Sequence, residues 1–328
     1  MASAFAFAGS ASSIPIERRL QWRRNYPNLA GNSSKAKAWR SMRYDSFEDF
    51  LKTGRKTIPQ GPVALIFAED DVELISTIHH HLDLGFKSLI AFMPSEFALP
   101  VELSERIHRV TLTCAPRQVV FDTINRLIDA LPGTWIYYGY NAEYLFYPFC
   151  ETRSIGELLT FHAEERRRAM FTHVIDLYAA DLSTNPNGVS SENAMLDRCG
   201  YYAHARHDAS GKPLERQLEM SGGLRWRFED HIPYERRRID RISIFKAQKG
   251  LQLLPDHSTN DPEYNTFSCP WHHNLTAAVC SFRAAKALTS NAGSGSEIAS
   301  FEWRNSTRFR WESQQLLELG LIEPGQWF

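Results

Sequence analysis

Residues 62–93 read "PVALIFAEDDVELISTIHHHLDLGFKSLIAFM". The opening run Val63 to Phe67 is apolar throughout and ends on Glu69, Asp70 and Asp71, as a strand buried on both faces does when its carboxyl end meets solvent. Val72, Ile75, Ile78 or His79, and Leu82 then recur at helical spacing. Gly85 stands where a glycine closes a helix, and "KSLIAFM" is a second apolar strand. Strand, helix and strand in this order form a βαβ unit, which implies a parallel sheet.

The pattern continues outward. "HRVTLT" (108–113) is followed by the helical "PRQVVFDTINRLIDAL" (116–131), closed by Pro132-Gly133, and by "TWIYYGY" (134–140), the most apolar strand. Residues 154–170, "SIGELLTFHAEERRRAM", read as a helix with Ser154 and Glu157 as a capping box; "FTHVIDLY" (171–178) reads as the next strand. Residues 182–222 read as a long irregular connection, and "RRRIDRISIFKAQKGLQLLPDH" (236–257) as two strands turning at Lys249-Gly250. "NLTAAVCSFRAAKAL" (274–288) reads as one helix, "TSNAGSGSEIAS" (289–300) as a tether, and the final residues as a short docking helix. The expected fold class is α/β, a mostly parallel central sheet flanked by helices. Three regions follow: a basic, flexible arm over 1–58, a catalytic-type domain over 59–290, and a tether with docking helix over 291–328.

Composition narrows the function classes. The 328 residues are 43% hydrophobic and 23% charged with net charge -1, which gives no global attraction to nucleic acid. Five cysteines without a CxxC pair fit reduced intracellular thiols, and no run approaches the roughly 20 apolar residues of a membrane span. A cytoplasmic protein is the expectation; "ERRRAM" and "ERRRID" read as charge runs on solvated faces, with a diphosphate clamp or peripheral membrane contact left open. The Ala/Ser-rich, then Arg-rich start reads as a loose arm or an organellar targeting segment; residues 1 to about 44 are expected to add little to the core.

In a parallel sheet ligands bind at the carboxyl ends of strands, which puts Glu69 to Asp71 and Asn141 to Glu143 on one rim. An amide and a carboxylate interrupting "YYGYNAEYLFYP" (137–148) read equally as a turn or as a site. "PWHHN" (270–274) offers Trp271 for stacking and His272 or His273 as base or phosphate contact, or is simply a capped helix start. Asp256, His257, Asp261 and Glu263 lie just upstream. His79, His80 and His81 are consecutive and point in different directions, so they form no helical metal pair.

The order of these pieces resembles the family 2-like glycosyltransferases of bacteria, with the GT-A (Rossmann-like) nucleotide-sugar fold, over roughly residues 60–290. The first helix with its histidines is similar to that group's opening helix, and "TWIYYGYNAEYLFYP" falls where the family has a strand followed by Asp-x-Asp-Glu-Phe-Leu. "THVIDLYAAD", "SGGLRWRF", "IDRISIFKAQKGLQLLPDH" and "LTAAVCSFRAAKAL" resemble its following strand and its Gly-Gly-x-Arg, Ser-Lys-x-Pro and Leu-His-Phe-Lys elements. The resemblance implies transfer of a sugar from a nucleotide-sugar donor to a saccharide or surface-polymer acceptor. It implies a base among Glu143, Asp256 and His272, and substrate contacts from Glu69, Asp70, Asn141, Trp271, His273, Arg225, Arg241 and Arg283. It also implies Mn²⁺ or Mg²⁺ at the Asp-x-Asp slots. Those slots hold Tyr140 and Ala142 or, slid by one residue, Asn141 and Glu143, so ordinary metal binding is not expected to survive intact. Inverting and retaining chemistry both stay open. So do an inactive scaffold on the same frame, and a hydrolase using the region of His257, His272 and His273.

Overall fold

The computed structural model describes residues 42–113, 117–269 and 275–327. In chain order the strands are β1 (Arg43–Tyr44), β2 (Val63–Phe67), β3 (Ser88–Met93), β4 (His108–Thr111), β5 (Trp135–Tyr140) and β6 (Glu143–Phe146). Then come β7 (Ala169–Ala179), β8 (Ala194–Asp197), β9 (Tyr201–His207), β10 (Pro213–Gly222), β11 (Asp240–Lys246), β12 (Ala277–Ser281) and β13 (Ser306–Arg308). The helices are α1 (Phe47–Lys52), α2 (Leu74–Asp83), α3 (Val101–Ser104), α4 (Arg117–Ala130), α5 (Ile155–Glu164), α6 (Gly223–Arg227), α7 (Arg283–Ser290), α8 (Ala292–Gly295) and α9 (Ser313–Glu318).

The large sheet runs β1-β4-β3-β2-β5-β11-β7-β12-β6, with β8 and β13 extending it from β7. From β1 to β5 neighbouring strands are parallel; β11 is antiparallel to both β5 and β7, and β12 is again parallel to β7. The fold is therefore α/β with a mixed sheet, mostly parallel at its centre. Every residue of β2 is buried because both faces are covered. Ala64 and Ile66 pack with α2 and α5, whereas Val63, Leu65 and Phe67 pack with α1 and α4. This two-sided cover is why the strand reads as a continuous apolar run rather than an alternating one.

Local signals held where geometry is local. Gly85 follows α2 at φ +88°, a left-handed conformation that a side chain disfavours. Ser154 and Glu157 form both hydrogen bonds of the capping box on α5. The buried face of α2 is displaced by one residue from the expected stripe: Leu74, Thr77, Ile78 and His81 are inside, and Ile75 is 42% exposed. His81 gives its Nδ1 to the Thr77 carbonyl at 2.8 Å, and burial pushes its pKa down to about 3, so it is a neutral core residue.

Four expectations need correction. The segment read as one helix over 274–288 holds strand β12 followed by helix α7. Five small or β-branched residues, "AAVCS", are buried on both sides between β7 and β6, and a short apolar run has no period that separates strand from helix. The region around Lys249-Gly250 forms one strand, β11; beyond the turn the chain makes only an isolated bridge, Leu253 to Thr259, while Leu251 and Leu253 fill the core. Part of the supposed irregular region 182–222 pairs as the β9–β10 hairpin, whose mostly exposed β9 lacks an apolar face to betray it. Arg167, read as part of a solvated charge run, is buried and donates to Thr266 and Ser268 carbonyls.

The outer regions are also more integrated than composition suggests. Arg43–Tyr44 pairs with β4, and Phe50 of α1 is fully buried against Tyr44 and His108. At the other end, Phe301, Phe309 and Leu316 are almost fully buried, and α8 lies within the stretch read as a tether. Truncating Phe50 to alanine should cost about 3–5 kcal/mol in a denaturant titration, the range for removing a buried aromatic. A loss below about 1 kcal/mol would place Arg43–Lys52 outside the cooperative core.

Candidate functional site at the carboxyl rim

The carboxyl ends of β2, β5 and β12 deliver Glu69, Asn141 and Arg283 to one rim of the sheet. Register explains the convergence. Glu143 pairs with Ser281 across β6 and β12, and Ser281 pairs with Asp176 across β12 and β7. The antiparallel β11 begins at this same end, with Arg241 near its start.

Asn141 and Ala142 make the turn between β5 and β6, and the left-handed residue is Ala142 at φ +59°. Asn141 works as a clamp. Its Oδ1 accepts from the Glu69 amide at 2.8 Å, and its Nδ2 donates to Asp70 Oδ1 at 2.5 Å and to the Val72 carbonyl at 2.9 Å. The turn is thus also a link to the loop after β2. The turn and site readings describe the same residue.

Glu143 is fully buried. Its Oε2 accepts from Arg241 Nη1 at 2.8 Å and from the Tyr140 amide at 3.0 Å. Its Oε1 accepts from Arg241 Nη2 at 2.9 Å and from Ser281 Oγ at 3.2 Å, with Arg283 Nη1 at 3.7 Å. Burial alone would raise its pKa, but the Arg241 charge and hydrogen bonds, with help from Arg283, outweigh this and hold it at about 2. A carboxylate so placed is a weak base at neutral pH; its evident task is to neutralise and orient Arg241.

Around this buried pair lies an outer ring open to solvent. Arg283 gives Nε and Nη2 to Glu69 at 2.7 and 2.6 Å, and its guanidinium carbon sits 3.6 Å from the Tyr140 ring centroid. Lys286 bonds both oxygens of Asp70 at 2.9 and 2.7 Å. The side chains of Glu69 and Asp70 remain 42% and 41% exposed against 24% and 11% for Arg283 and Lys286, so these pairs meet solvent on their carboxylate side. Arg225, on α6, donates Nη1 to the Arg238 carbonyl at 2.9 Å, and its Nε lies 3.6 Å from Asp176 Oδ1. Burial, with repulsion from Arg241 and Arg283, lowers the Arg225 pKa despite Asp176.

His257 reports the field of this cluster. Its Nδ1 lies 2.9 Å from Tyr138 Oη, and burial drives its pKa well below the usual value. Arg241, Arg117, Arg283 and Arg225 each push in the same direction. Four guanidinium groups therefore act on one buried imidazole.

Of the residues expected at the site, Glu69, Asp70, Asn141, Glu143, Arg241 and Arg283 come together, with Arg225 adjoining. Asp256 is engaged otherwise: it accepts from Ser258 and pairs with Arg206, near the turn end of β9, and with Arg238. Asp261 caps the turn at Pro262, and Glu263 pairs with Arg216. Trp271, His272 and His273 lie outside the described residues. Sequence reasoning passed over Lys286, Tyr138, Arg117 and Asp176. For Asp176 a signal existed, since it is the lone acid within the apolar run "THVIDLYA".

Asn141 and Glu143 do not fit a divalent cation in these positions. Both oxygens of Glu143 face guanidinium hydrogens, and the Asn141 carbonyl faces an amide hydrogen. A cation between them would meet Arg241 and Arg283 at close range. No known protein family matches this chain, and no curated protein matches it. Among the described residues no helix is long and apolar enough to cross a membrane.

Replacing Glu143 by Gln leaves Arg241 buried without its counter-charge, and should cost about 3–5 kcal/mol at pH 7. The sign follows from linkage: Glu143 ionises at about 2 in the folded chain against an ordinary 4.5. Its stabilisation is complete above 4.5 and is lost as pH falls toward 2. Chemical denaturation of parent and variant from pH 7 to 3 should show the gap narrowing below about 4.5. A constant gap would mean that charge at Glu143 contributes nothing.

Proposed function

We propose that this chain is a glycosyltransferase-like protein of GT-A type that holds the diphosphate of a nucleotide sugar on fixed arginine and lysine charges. It passes the sugar to a hydroxyl of a saccharide or surface-polymer acceptor. The observation that carries this reading is the outer ring: Arg283 and Lys286 stand at the carboxyl rim, each held by a half-exposed carboxylate that an incoming anion can replace. Behind them stand Arg241 and Arg225, each beside a buried carboxylate, and these two with Arg117 and Arg283 are close enough to push down the pKa of His257. Charge building on the leaving diphosphate is offset by these groups, the role a metal ion has in the family that the sequence resembles.

Loss of transfer activity on the same frame is the second reading. It is favoured by the state of Glu143, whose carboxylate is fully committed to Arg241. Both readings require an anion site at the rim.

Inorganic pyrophosphate, in buffer containing EDTA, is the direct probe. Calorimetry should show binding that weakens on raising salt from about 0.05 to 0.5 M, as exposed charges are screened. Arg283→Ala should weaken it about tenfold, corresponding to about 1.4 kcal/mol. Absence of binding, or binding indifferent to both salt and Arg283, would overturn the proposal.

A further inference from the structure

Asp176 lies inside β7, one strand from Ser281, and its side chain is 1% exposed. Burying a carboxylate is costly unless it is paired and hydrogen-bonded. Here the nearest charge, Arg225 Nε, is 3.6 Å away, beyond hydrogen-bond length. The amides of Leu224 and Arg225 on α6 face it, yet neither oxygen has a hydrogen-bond partner of normal geometry among the described residues. Tyr201 Oη, also buried, is likewise without one.

The surrounding backbone is shaped around this carboxylate. Gly223 has φ +61°, and a Cβ there would lie 2.8 Å from Asp176 Oδ2. Only glycine lets the start of α6 approach so closely while it carries Arg225 toward the cationic rim. The neighbouring charges are opposed. Arg225 on α6 favours the ionised form, and Asp197 at the end of β8 disfavours it. Burial is the largest influence and brings the carboxyl up to about 6, near the value at which a carboxylate exchanges protons at physiological pH. A buried acid whose nearest cation stands 3.6 Å away, one strand from the Glu143–Arg241 pair, is only weakly accounted for by stability, and such groups concentrate at functional sites.

We propose that Asp176 is the base of the transfer reaction, an inference that rests on the function proposed above. As the acceptor oxygen bonds to the anomeric carbon, the bond from that carbon to the diphosphate oxygen breaks. Its electron pair leaves with the diphosphate, and the acceptor's proton passes to Asp176. With water as acceptor the same balance describes hydrolysis of the nucleotide sugar. Apo geometry places the carboxylate behind Gly223 and Arg225, and catalytic contacts of this kind commonly tighten only when substrate is bound.

UDP-glucose serves as the probe, because its diphosphate diester keeps a constant charge between about pH 5 and 8. Binding and release of glucose are followed across that range in the parent and in Asp176→Asn, which keeps the shape. In the parent, affinity should fall as pH rises through about 6 and a second negative group appears near the diphosphate, while turnover should rise. In the variant, affinity should be flat with pH and turnover reduced by about 10²-fold or more. The variant should still fold at pH 7.5, with a melting temperature modestly below the parent's, since buried Arg225 loses its nearest counter-charge.

An unchanged pH profile or an unchanged turnover in Asp176→Asn overturns the inference. So does a variant that no longer folds, which would make the carboxylate structural, or a parent that binds UDP-glucose without any turnover. A parent that binds neither UDP-glucose nor pyrophosphate removes the function reading itself, a failure distinct from these.

Discussion

The bidentate ion pair between Glu143 and Arg241 organises the rim. It joins β6 at one edge of the main sheet to β11 near its middle, and it forms where the turn at Asn141–Ala142 brings the end of β5 next to the start of β6. Two charges removed from water must satisfy one another almost completely, and here they do: the Tyr140 amide and the Ser281 hydroxyl take up remaining capacity of the carboxylate. An arrangement of this kind tolerates little displacement, so it sets where the neighbouring strands end and what their terminal residues face.

From that constraint the two-layered electrostatics follow. The inner pair is dry and fixed. The outer pairs, Arg283 with Glu69 and Lys286 with Asp70, reach solvent through their carboxylates. A site that must accept and release a charged ligand benefits from this division, because the inner charges shape the potential while the outer ones exchange partners. Asn141 couples the layers, since it clamps the loop carrying Glu69 and Asp70 to the turn that leads into Glu143. Arg225 and Asp176 stand at the far side, where the short helix α6 is pressed close by Gly223.

The fold could be read from sequence where one element's signal is self-contained. β2, α2 and β3 show their run lengths and their closing glycine, and α5 shows its capping box. β12 could not be read, because "AAVCS" carries no period and its burial depends on β6 and β7 arriving on either side. The strand-end rule, which is topological, put Glu69, Asp70, Asn141 and Glu143 on one rim, and they do lie together there. The ion pair behind them was not legible, because Glu143 and Arg241 meet across 98 residues of sequence and nothing local in "NAEYL" announces a guanidinium partner. Asp176 lay in view as an acid in an apolar strand, but its nearness to Arg225 and Gly223 is a property of packing alone.

If the rim is built on fixed cations, it has no use for a metal at Asn141 and Glu143. Calorimetric titration of the full chain with Mn²⁺ tests this most directly. The account predicts no stoichiometric binding, and the same pyrophosphate affinity in Mn²⁺ as in EDTA. Tight one-to-one Mn²⁺ binding that disappears in a folded Glu143→Gln variant would contradict it.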